Sequence, residues 1–438
     1  MGIALALFLI KYGRNSITRI GFVFLIFAVI YHGLGELLIA LFPGNLYLRW
    51  MANPEYIDKF TVLIAFSILC FVASYLVTNQ IFHSSSSDGL AGGARKAASK
   101  EAGRYWIAYA VVVTVLLALT LGTAESAGYS AYGDESDSDS TLGVAIASLL
   151  VCFLGMLAAA LVNRFGGSMI FPVFAFGMVI MAWSGQRNSL VFGAAVIGFS
   201  IIKFTPYRVR ARNAIAIVSF LVFAIWLLTS VRAVSGREAF ASGGTARERL
   251  DGVIEGFRGM TSSRTADELA DTLGYRLDGN LYGSLVWEAL DRGEDHLGLD
   301  MLWLSVRLAV PSFVDPSKLS LPLAERVPKL YAQMHFGLPS QDMLMTQLGS
   351  FSGWFGMVGV IVAAVILGIV LAGLDRWLSG NVTQFKIFVA VVLVYTISQY
   401  GRGMEAWLVS GRLILLFAPL ILVQKFLAMA SVAAAKQG

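Results

Sequence analysis

Three arginines, Arg187, Arg276 and Arg402, lie at the ends of apolar stretches or in a polar loop. A guanidinium group stays charged at any physiological pH, and its planar fork of N–H donors matches the oxygens of a phosphate. Arginines that converge from separate segments suit a pyrophosphate better than a transport substrate without phosphate. We therefore predict that these three bind phosphate, with an interfacial anchor as the alternative for Arg187.

Two pairs of residues have types that suit proton transfer. Arg276 and Asp278 are two residues apart, which places both on one face of a strand but not of a helix. A surface ion pair is the alternative interpretation of this pair. His335 and Asp342 are a His/carboxylate pair in a loop framed by Pro and Gly, and either side chain is able to act as a general base on a hydroxyl. A structural histidine is the alternative for His335.

The segment around Arg402 carries two further ionisable candidates. Arg402 lies between two glycines and close to Glu405, and Arg412 follows within the next apolar stretch. An arginine at that depth is costly unless it faces a polar cavity. We predict that Arg402, Glu405 and Arg412 contact substrate.

The elements that must position these residues are membrane helices. Of the 438 residues, 57% are hydrophobic and only 14% are charged, whereas soluble domains have about 25% charged residues. Two cysteines within apolar runs and four histidines leave little room for a metal cluster of His and Cys. Our prediction for the chain includes no metal and no cofactor. The net charge of +5 is too small and too scattered for nucleic-acid binding. The sequence shows no glycine-rich phosphate loop and no Asp-x-Asp nucleotide-sugar signature on a soluble domain, which argues against an ATP-driven pump and against a cytosolic glycosyltransferase that uses nucleotide sugars.

Apolar stretches predict an all-α polytopic membrane protein with ten or eleven transmembrane helices and a large helical extracytoplasmic loop. We divide the chain into an N-terminal bundle (1–230), a polar insertion (231–350) and C-terminal membrane helices (351–438). The insertion has twelve Lys and Arg against sixteen Asp and Glu, a net charge of −4. Its apolar spacing predicts amphipathic helices at 247–260, 281–290 and 297–310, followed by an extended loop from Pro311 to Pro328.

The distribution of Lys and Arg in the short loops predicts the orientation of the chain. Basic loops at 95–104, 203–212 and 375–386 fall on one side when the spans are counted alternately, which makes that side the cytoplasm. The insertion, Arg187 and Arg402 are then delivered to the opposite, extracytoplasmic side.

Several segments resemble a bacterial family. Residues 182–188 (Ala-Trp-Ser-Gly-Gln-Arg-Asn), followed by an apolar span, look like the Gly-x-Arg-initiated span of O-antigen and exopolysaccharide polymerases (Wzy-like, oligosaccharide repeat unit polymerases). Residues 275–278, then 310–318, resemble the Arg-x-Asp and Pro-rich progression in the outer loop of these enzymes. Lys318 matches the lysine of the family, but Ser312 stands where the family often has Arg, so no phosphate-binding role is carried to Ser312.

The resemblance implies a metal-independent membrane glycosyltransferase with a GT-C-like fold in the bacterial inner membrane. It would take undecaprenyl-diphosphate-linked oligosaccharides as donor and acceptor on the periplasmic face, and a chain-length regulator protein would be a further partner. Arginines would stabilise the departing diphosphate, and a carboxylate or His would accept the hydroxyl proton. Two alternatives stay open. An O-antigen ligase would use the same donor, and a transporter or flippase of lipid-linked glycan would require internal repeats and broken helices.

Overall fold

The computed structural model describes residues 1–41, 52–83, 106–126, 140–183, 187–207, 211–235, 246–262, 277–310, 314–320, 328–338, 343–379, 383–404 and 407, 408, 411, 413 and 414. Every regular element within these ranges is a helix, which confirms the predicted all-helical class. The α-helices in chain order are α1 (Gly2–Tyr12), α2 (Ile20–Val29), α3 (Gly35–Leu41), α4 (Pro54–His83), α5 (Trp106–Ser126), α6 (Ser140–Phe165), α7 (Ile170–Trp183), α8 (Arg187–Phe204), α9 (Ala211–Ser235), α10 (Ala246–Gly259), α11 (Leu281–Asp291), α12 (Gly298–Ala309), α13 (Pro328–His335), α14 (Ser350–Ser379) and α15 (Gln384–Ser398).

Five of the described helical stretches are long and apolar enough to cross a membrane. They are Ile20–Leu37, Pro54–Ile81, Ile146–Phe165, Arg212–Val231 and Ser350–Ser379. Five shorter apolar helices accompany them, namely Gly2–Tyr12, Trp106–Leu119, Gly167–Met181, Leu190–Phe204 and Gln384–Ser398. The predicted final span at 407–426 lies mostly outside the described residues. These lengths and compositions are those of an α-helical membrane protein.

The centre of the bundle is α15, which is buried from Ile387 to Ser398 and packs against α2, α6 and α8. Beside it, α4 and α14 form a long helix pair. A Cβ on Gly368 of α14 would lie 2.6 Å from the carbonyl oxygen of Phe71 and 2.1 Å from the hydroxyl of Ser74. Glycine at this position therefore sets how closely the two helices approach, as small residues do between membrane helices.

The apolar helices run in alternating directions and define two ends of the bundle. Ser148, early in α6, shares a hydrogen bond of 2.8 Å with Tyr395, late in α15. At the opposite end, Asn163 of α6 donates to the carbonyl of Phe204, where α8 ends, at 2.9 Å. We use the name insertion end for the end that contains the start of α4, the start of α14 and the end of α15. Residues of the polar insertion pack at this end.

The opposite end is joined around the carboxylate of Asp375, which is 2% exposed. Its two oxygens accept the backbone N–H groups of Ile20 and Gly21 at 2.8 and 3.0 Å, and the hydroxyl of Tyr75 at 2.8 Å. The ammonium group of Lys203 lies 3.7 Å from the same carboxylate. Because the first N–H groups of a helix have no partner within the helix, a carboxylate at this point both caps α2 and complements its dipole. Asp375 thus connects α14 to α2, α4 and α8.

The first insertion helix, α10, folds back along α9. The hydroxyl of Ser230 donates to the carbonyl of Gly256 at 2.6 Å, and the indole of Trp226 donates to the carbonyl of Met260 at 2.9 Å. A Cβ on Gly256 would lie 2.3 Å from a methyl of Val231. The predicted amphipathic helix at 247–260 is therefore present, and its glycine face contacts the bundle.

The other insertion helices pack on the starts of α4 and α14. The helices predicted at 281–290 and 297–310 are confirmed as α11 and α12, and α11 contacts both α4 and α14. The extended loop predicted up to Pro328 is interrupted, since a 3₁₀ turn occupies Pro316–Ser320 and α13 begins at Pro328. Proline is well suited to the first turn of a helix, because the N–H that it lacks would have no partner there.

Candidate functional site

The site is built on a π-helical turn, Ile30–Leu34, that separates α2 from α3. Such a turn contains one extra residue and leaves backbone carbonyls without their usual partners. The insertion supplies those partners, because the N–H of Gly279 donates to the carbonyl of Tyr31 at 3.1 Å. The approach is close enough that a Cβ on Gly35 would lie 1.9 Å from the carbonyl oxygen of Leu277. The segment that precedes α11 therefore packs directly against the π-turn and the start of α3.

His32, in the π-turn, is fully buried and joins the insertion to α15. Its Nδ1 lies 2.6 Å from Oδ1 of Asn280, and its Nε2 lies 3.2 Å from the hydroxyl of Tyr400. Since Oδ1 of an amide only accepts, Nδ1 carries the proton, and Nε2 of the neutral ring accepts from Tyr400. The imidazole is thus held between two partners from distant parts of the chain.

Asn280 fixes a carboxylate at the same position. Its amide nitrogen donates to Oε1 of Glu36 at 2.8 Å, with the hydroxyl of Thr61 at 3.1 Å and the carbonyl of His32 at 3.3 Å. Glu36 is half-buried, whereas Asn280 is completely buried. The site therefore presents a partly exposed carboxylate beside a buried network of amide, imidazole and phenol.

Arg402 lies at the rim of this network. The ring of Tyr400 stacks on Tyr31 with centroids 5.5 Å apart, and the exposed side chain of Arg402 follows two residues later. The guanidinium group receives support from Gln399, to which it donates at 3.1 Å, and from the ring of Phe192, whose centroid is 5.7 Å away.

The start of α8 comes to the same end of the bundle. Phe192, beneath Arg402, is five residues after Arg187, where α8 begins. Five residues of α-helix extend about 7.5 Å along the axis. The backbone of Arg187 is therefore at the insertion end, as is Leu277, which follows Arg276. Arg187, Arg276 and Arg402 thus belong to segments that meet at one end.

Two other predicted site residues make local contacts. The carboxylate of Asp278 is 8% exposed and accepts the backbone N–H of Leu281 at 3.2 Å, at the start of α11. Nε2 of His335 donates to the carbonyl of Asp295 at 2.8 Å and so connects α13 to the turn before α12. Both contacts position the insertion, and the catalytic roles of Asp278 and His335 stay predictions.

The remaining predicted residues have positions that the structure does not describe. Arg276, Asp342, Glu405 and Arg412 lie outside the described residues, as do the side chains of Arg187 and Lys318. The backbone of Lys318 belongs to the 3₁₀ turn Pro316–Ser320. Just before that turn, the guanidinium of Arg307 donates to Asp315 at 2.9 Å and to the hydroxyl of Ser317 at 2.8 Å. Two hydrogen bonds hold the pKa of Asp315 below its usual value. The larger effect comes from the hydroxyl of Ser317 and the smaller from the guanidinium of Arg307.

Sequence reasoning missed His32, Glu36, Asn280 and Tyr400. A signal was present for the first two, because His32 and Glu36 are four residues apart in an otherwise apolar run, and ionisable residues inside a span usually have a function. Four residues is also the spacing that puts two side chains on one helix face. Asn280 and Tyr400 carry no such signal, since neutral polar residues at the ends of apolar segments are common.

The arrangement combines proton transfer and phosphate binding, which the sequence predicted for separate segments. A carboxylate held by an amide N–H is able to accept a proton from a hydroxyl group brought within hydrogen-bond distance. An exposed guanidinium supported from below by an aromatic ring is suited to bind phosphate oxygens. Glu36 and Arg402 therefore place proton transfer and anion binding at the same end of the molecule.

In comparisons with known proteins, the chain matches no family model, no curated protein and no solved structure. The functional argument accordingly depends on the residues of the insertion end.

Proposed function

We propose that this chain is a membrane glycosyltransferase that polymerises undecaprenyl-diphosphate-linked oligosaccharide repeat units into O-antigen or exopolysaccharide. In this proposal ten or eleven spans cross the bacterial inner membrane, with a GT-C-like arrangement and the insertion on the periplasmic side. The observation that supports it best is the meeting at one end of Glu36, Arg402 and the segments that carry Arg187 and Arg276. The resemblance of residues 182–188 and 275–278 to the polymerase family points in the same direction.

The reaction would proceed by displacement at the anomeric carbon of the donor. The acceptor hydroxyl oxygen forms the new glycosidic bond, and its proton passes to the carboxylate of Glu36. The bond between the anomeric carbon and the diphosphate oxygen breaks, and the electron pair leaves with the lipid diphosphate. Arg402, with Arg187 and Arg276, binds this diphosphate and stabilises the negative charge that develops on the leaving oxygen.

Asn280 would be a positioning residue in this mechanism. Its amide nitrogen donates to Oε1 of Glu36 and keeps this carboxylate oriented, while its Oδ1 accepts from Nδ1 of His32. Replacement of Asn280 by Asp would put a second carboxylate beside Glu36, and the two negative charges would repel each other. We therefore expect Asn280→Asp to shift the pH profile of polymerisation to higher pH, a change that loss of folding would not produce.

The test is complementation in cells that lack the chain, with the length of the surface glycan measured on gels. Glu36→Gln and Arg402→Ala, singly, should lower polymerisation about 10²–10³-fold, leaving single repeat units. Arg187→Ala and Arg276→Ala should act in the same direction. The matched control is Arg376→Ala, which removes an arginine near Asp375 at the other end of the bundle and should leave chain length unchanged.

Two outcomes would contradict the proposal. Normal chain length in a variant that lacks all three arginines would exclude a diphosphate site built from them. Accumulation of full-length, lipid-linked polymer that is not attached to its final acceptor would instead identify a ligase.

A further inference from the structure

A groove lies on the outer surface of α4, next to the insertion. It has a volume of about 550 Å³ and is lined by Asp58, Lys59, Val62, Leu63, Phe66 and Trp287. Val62 and Phe66 are 69% and 53% exposed, and they lie one turn apart on the same face of the helix. Trp287 comes from α11 and forms the side of the groove contributed by the insertion. The volume is within the range of about 300–1,000 Å³ that is typical of small-molecule sites.

The depth of this groove in the membrane follows from the length of α4. The helix has 30 residues, so it extends about 45 Å, whereas the hydrocarbon core of a bilayer is about 30 Å thick. The charged residues Glu55, Asp58 and Lys59 all lie in the first turns of α4, so we place these turns in the headgroup layer. Val62 and Phe66 are one and two turns deeper, where acyl chains begin. Tryptophan, as at Trp287, is typical of the boundary between these layers.

The charged rim of the groove contains both signs. Lys59 is bonded to Glu55 at 2.7 Å in an exposed pair, and such pairs contribute little and leave further ammonium donors for another oxygen. Asp58, the residue before Lys59, has an exposed carboxylate. The carboxylate of Asp291 lies within hydrogen-bond reach of Tyr56 in the same region. Beyond the rim, Arg292 follows Asp291 in the chain and pairs with Glu288 at 3.2 Å. The groove itself is lined by one ammonium and one carboxylate, those of Lys59 and Asp58. It fits a headgroup with a phosphate for Lys59 and an ammonium for Asp58.

We propose that this groove is a binding site for a phospholipid with an ethanolamine headgroup. One acyl chain lies along Val62, Leu63 and Phe66 against the indole of Trp287. The phosphate contacts Lys59, and the primary ammonium contacts Asp58. Because Trp287 belongs to the insertion and the other lining residues to α4, the lipid bridges the two parts. The proposal does not depend on the glycosyltransferase reaction.

Native mass spectrometry of the full chain, purified in detergent, tests the proposal with two added lipids. Dioleoyl phosphatidylethanolamine and dioleoyl phosphatidylglycerol have the same acyl chains and differ in headgroup charge. We expect the ethanolamine lipid to bind at least about tenfold more tightly, which corresponds to one charge-assisted contact. Asp58→Asn should reduce this preference to about equal binding, and Lys59→Gln should weaken both lipids.

Filling the groove gives an independent measurement. Val62→Trp should displace the acyl chain and abolish retention of the ethanolamine lipid. Val77→Trp is the matched control, because Val77 is 52% exposed on the same helix but does not line the groove. Equal or tighter binding of phosphatidylglycerol to the wild-type chain would overturn the proposal. Retention of the ethanolamine lipid by Val62→Trp at the wild-type level would overturn it as well.

Discussion

Among individual residues, Asp375 makes the contacts whose loss should cost most. Asparagine at this position would leave the ammonium of Lys203, which is 12% exposed, without its carboxylate. Breaking a buried ion pair by removing one partner typically costs about 3–5 kcal/mol. We therefore expect Asp375→Asn to lower the free energy of unfolding by about that amount, measured by denaturant titration in detergent.

The control for this prediction is Asp300→Asn, which changes an exposed carboxylate on α12 and should leave stability within about 0.5 kcal/mol. A double variant, Asp375→Leu with Lys203→Met, should be less destabilised than Asp375→Asn, because the buried ammonium of Lys203 is then removed together with its carboxylate. If Asp375→Asn proves as stable as the wild type, the carboxylate does not join the helices as described.

At the scale of single residues, the sequence predicted some of the important side chains and missed others. The arginines were found because guanidinium groups stand out in an apolar chain, and Arg402 does lie at the rim of the site. Asp375 was assigned to the basic loop at 375–386, since nothing in the sequence shows that the N–H groups of Ile20 and Gly21 face it. In the structure it lies within α14. Partners separated by hundreds of residues depend on how helices pack, and local spacing does not contain that information.

For pairs of elements, the close approach of α4 and α14 is tested by comparing alanine substitutions at two glycines of α14, one inside the contact and one outside it. A Cβ on Gly368 would enter the space of Ser74 and Phe71, whereas a Cβ on Gly373 would meet no atom within 4 Å. Gly368→Ala should therefore destabilise the protein by about 1–3 kcal/mol through overpacking. Gly373→Ala should be neutral or stabilise by up to about 1 kcal/mol, because alanine favours helix. Thermal unfolding of both variants decides this, and equal effects would contradict the close approach.

The turn after α12 should respond to acid. The pKa of Asp315 is lowered by Ser317 and then by Arg307. A depressed pKa in the folded state means that the carboxylate contributes stability above its unfolded pKa, and loses it as the pH falls through the folded value. The turn should thus be intact at neutral pH and loosen only in strong acid.

Replacement of Arg307 is the direct check on this turn. We expect Arg307→Met to raise the pKa of Asp315, as followed by NMR of ¹³C-labelled aspartate carboxyls in micelles. Exchange of the backbone N–H groups of residues 317–320 with deuterium should then accelerate at a higher pH than in the wild type. An unchanged titration of Asp315 in this variant would show that the guanidinium does not influence it.

Helices were predictable from the sequence, whereas the interruptions that make the site were not. The apolar run that starts at residue 20 predicts a continuous span, but Ile30–Leu34 is a π-turn. Such a turn is favoured only when other groups satisfy its carbonyls, and here Gly279 and Asn280 do so. The start of α13 at Pro328 also differs from the predicted extended loop, because proline breaks a helix interior but is favoured in the first turn of a helix.

For the whole molecule, the two ends of the bundle should be accessible from opposite sides of the membrane. In a variant with Cys70→Ser and Cys152→Ala, a single cysteine in place of the exposed Glu294 should react with a membrane-impermeant maleimide added to intact spheroplasts. A cysteine at Ser379, also exposed, should react only after the membrane is opened. Labelling of both positions in intact spheroplasts would contradict the alternating arrangement, and the reverse pattern would invert the proposed orientation.

The contact of Asp375 with α2 also sets an order for biosynthesis. The residues that accept and donate in this contact are 355 positions apart in the chain. At about 5–20 residues per second, roughly 18–71 s separate the synthesis of Ile20 from that of Asp375. We expect α2 to enter the bilayer during this interval without its final cap, which would expose an incomplete span to quality-control proteases. Chains that stop before residue 375 should therefore be degraded rapidly, while a separately expressed C-terminal fragment that contains α14 should extend their lifetime.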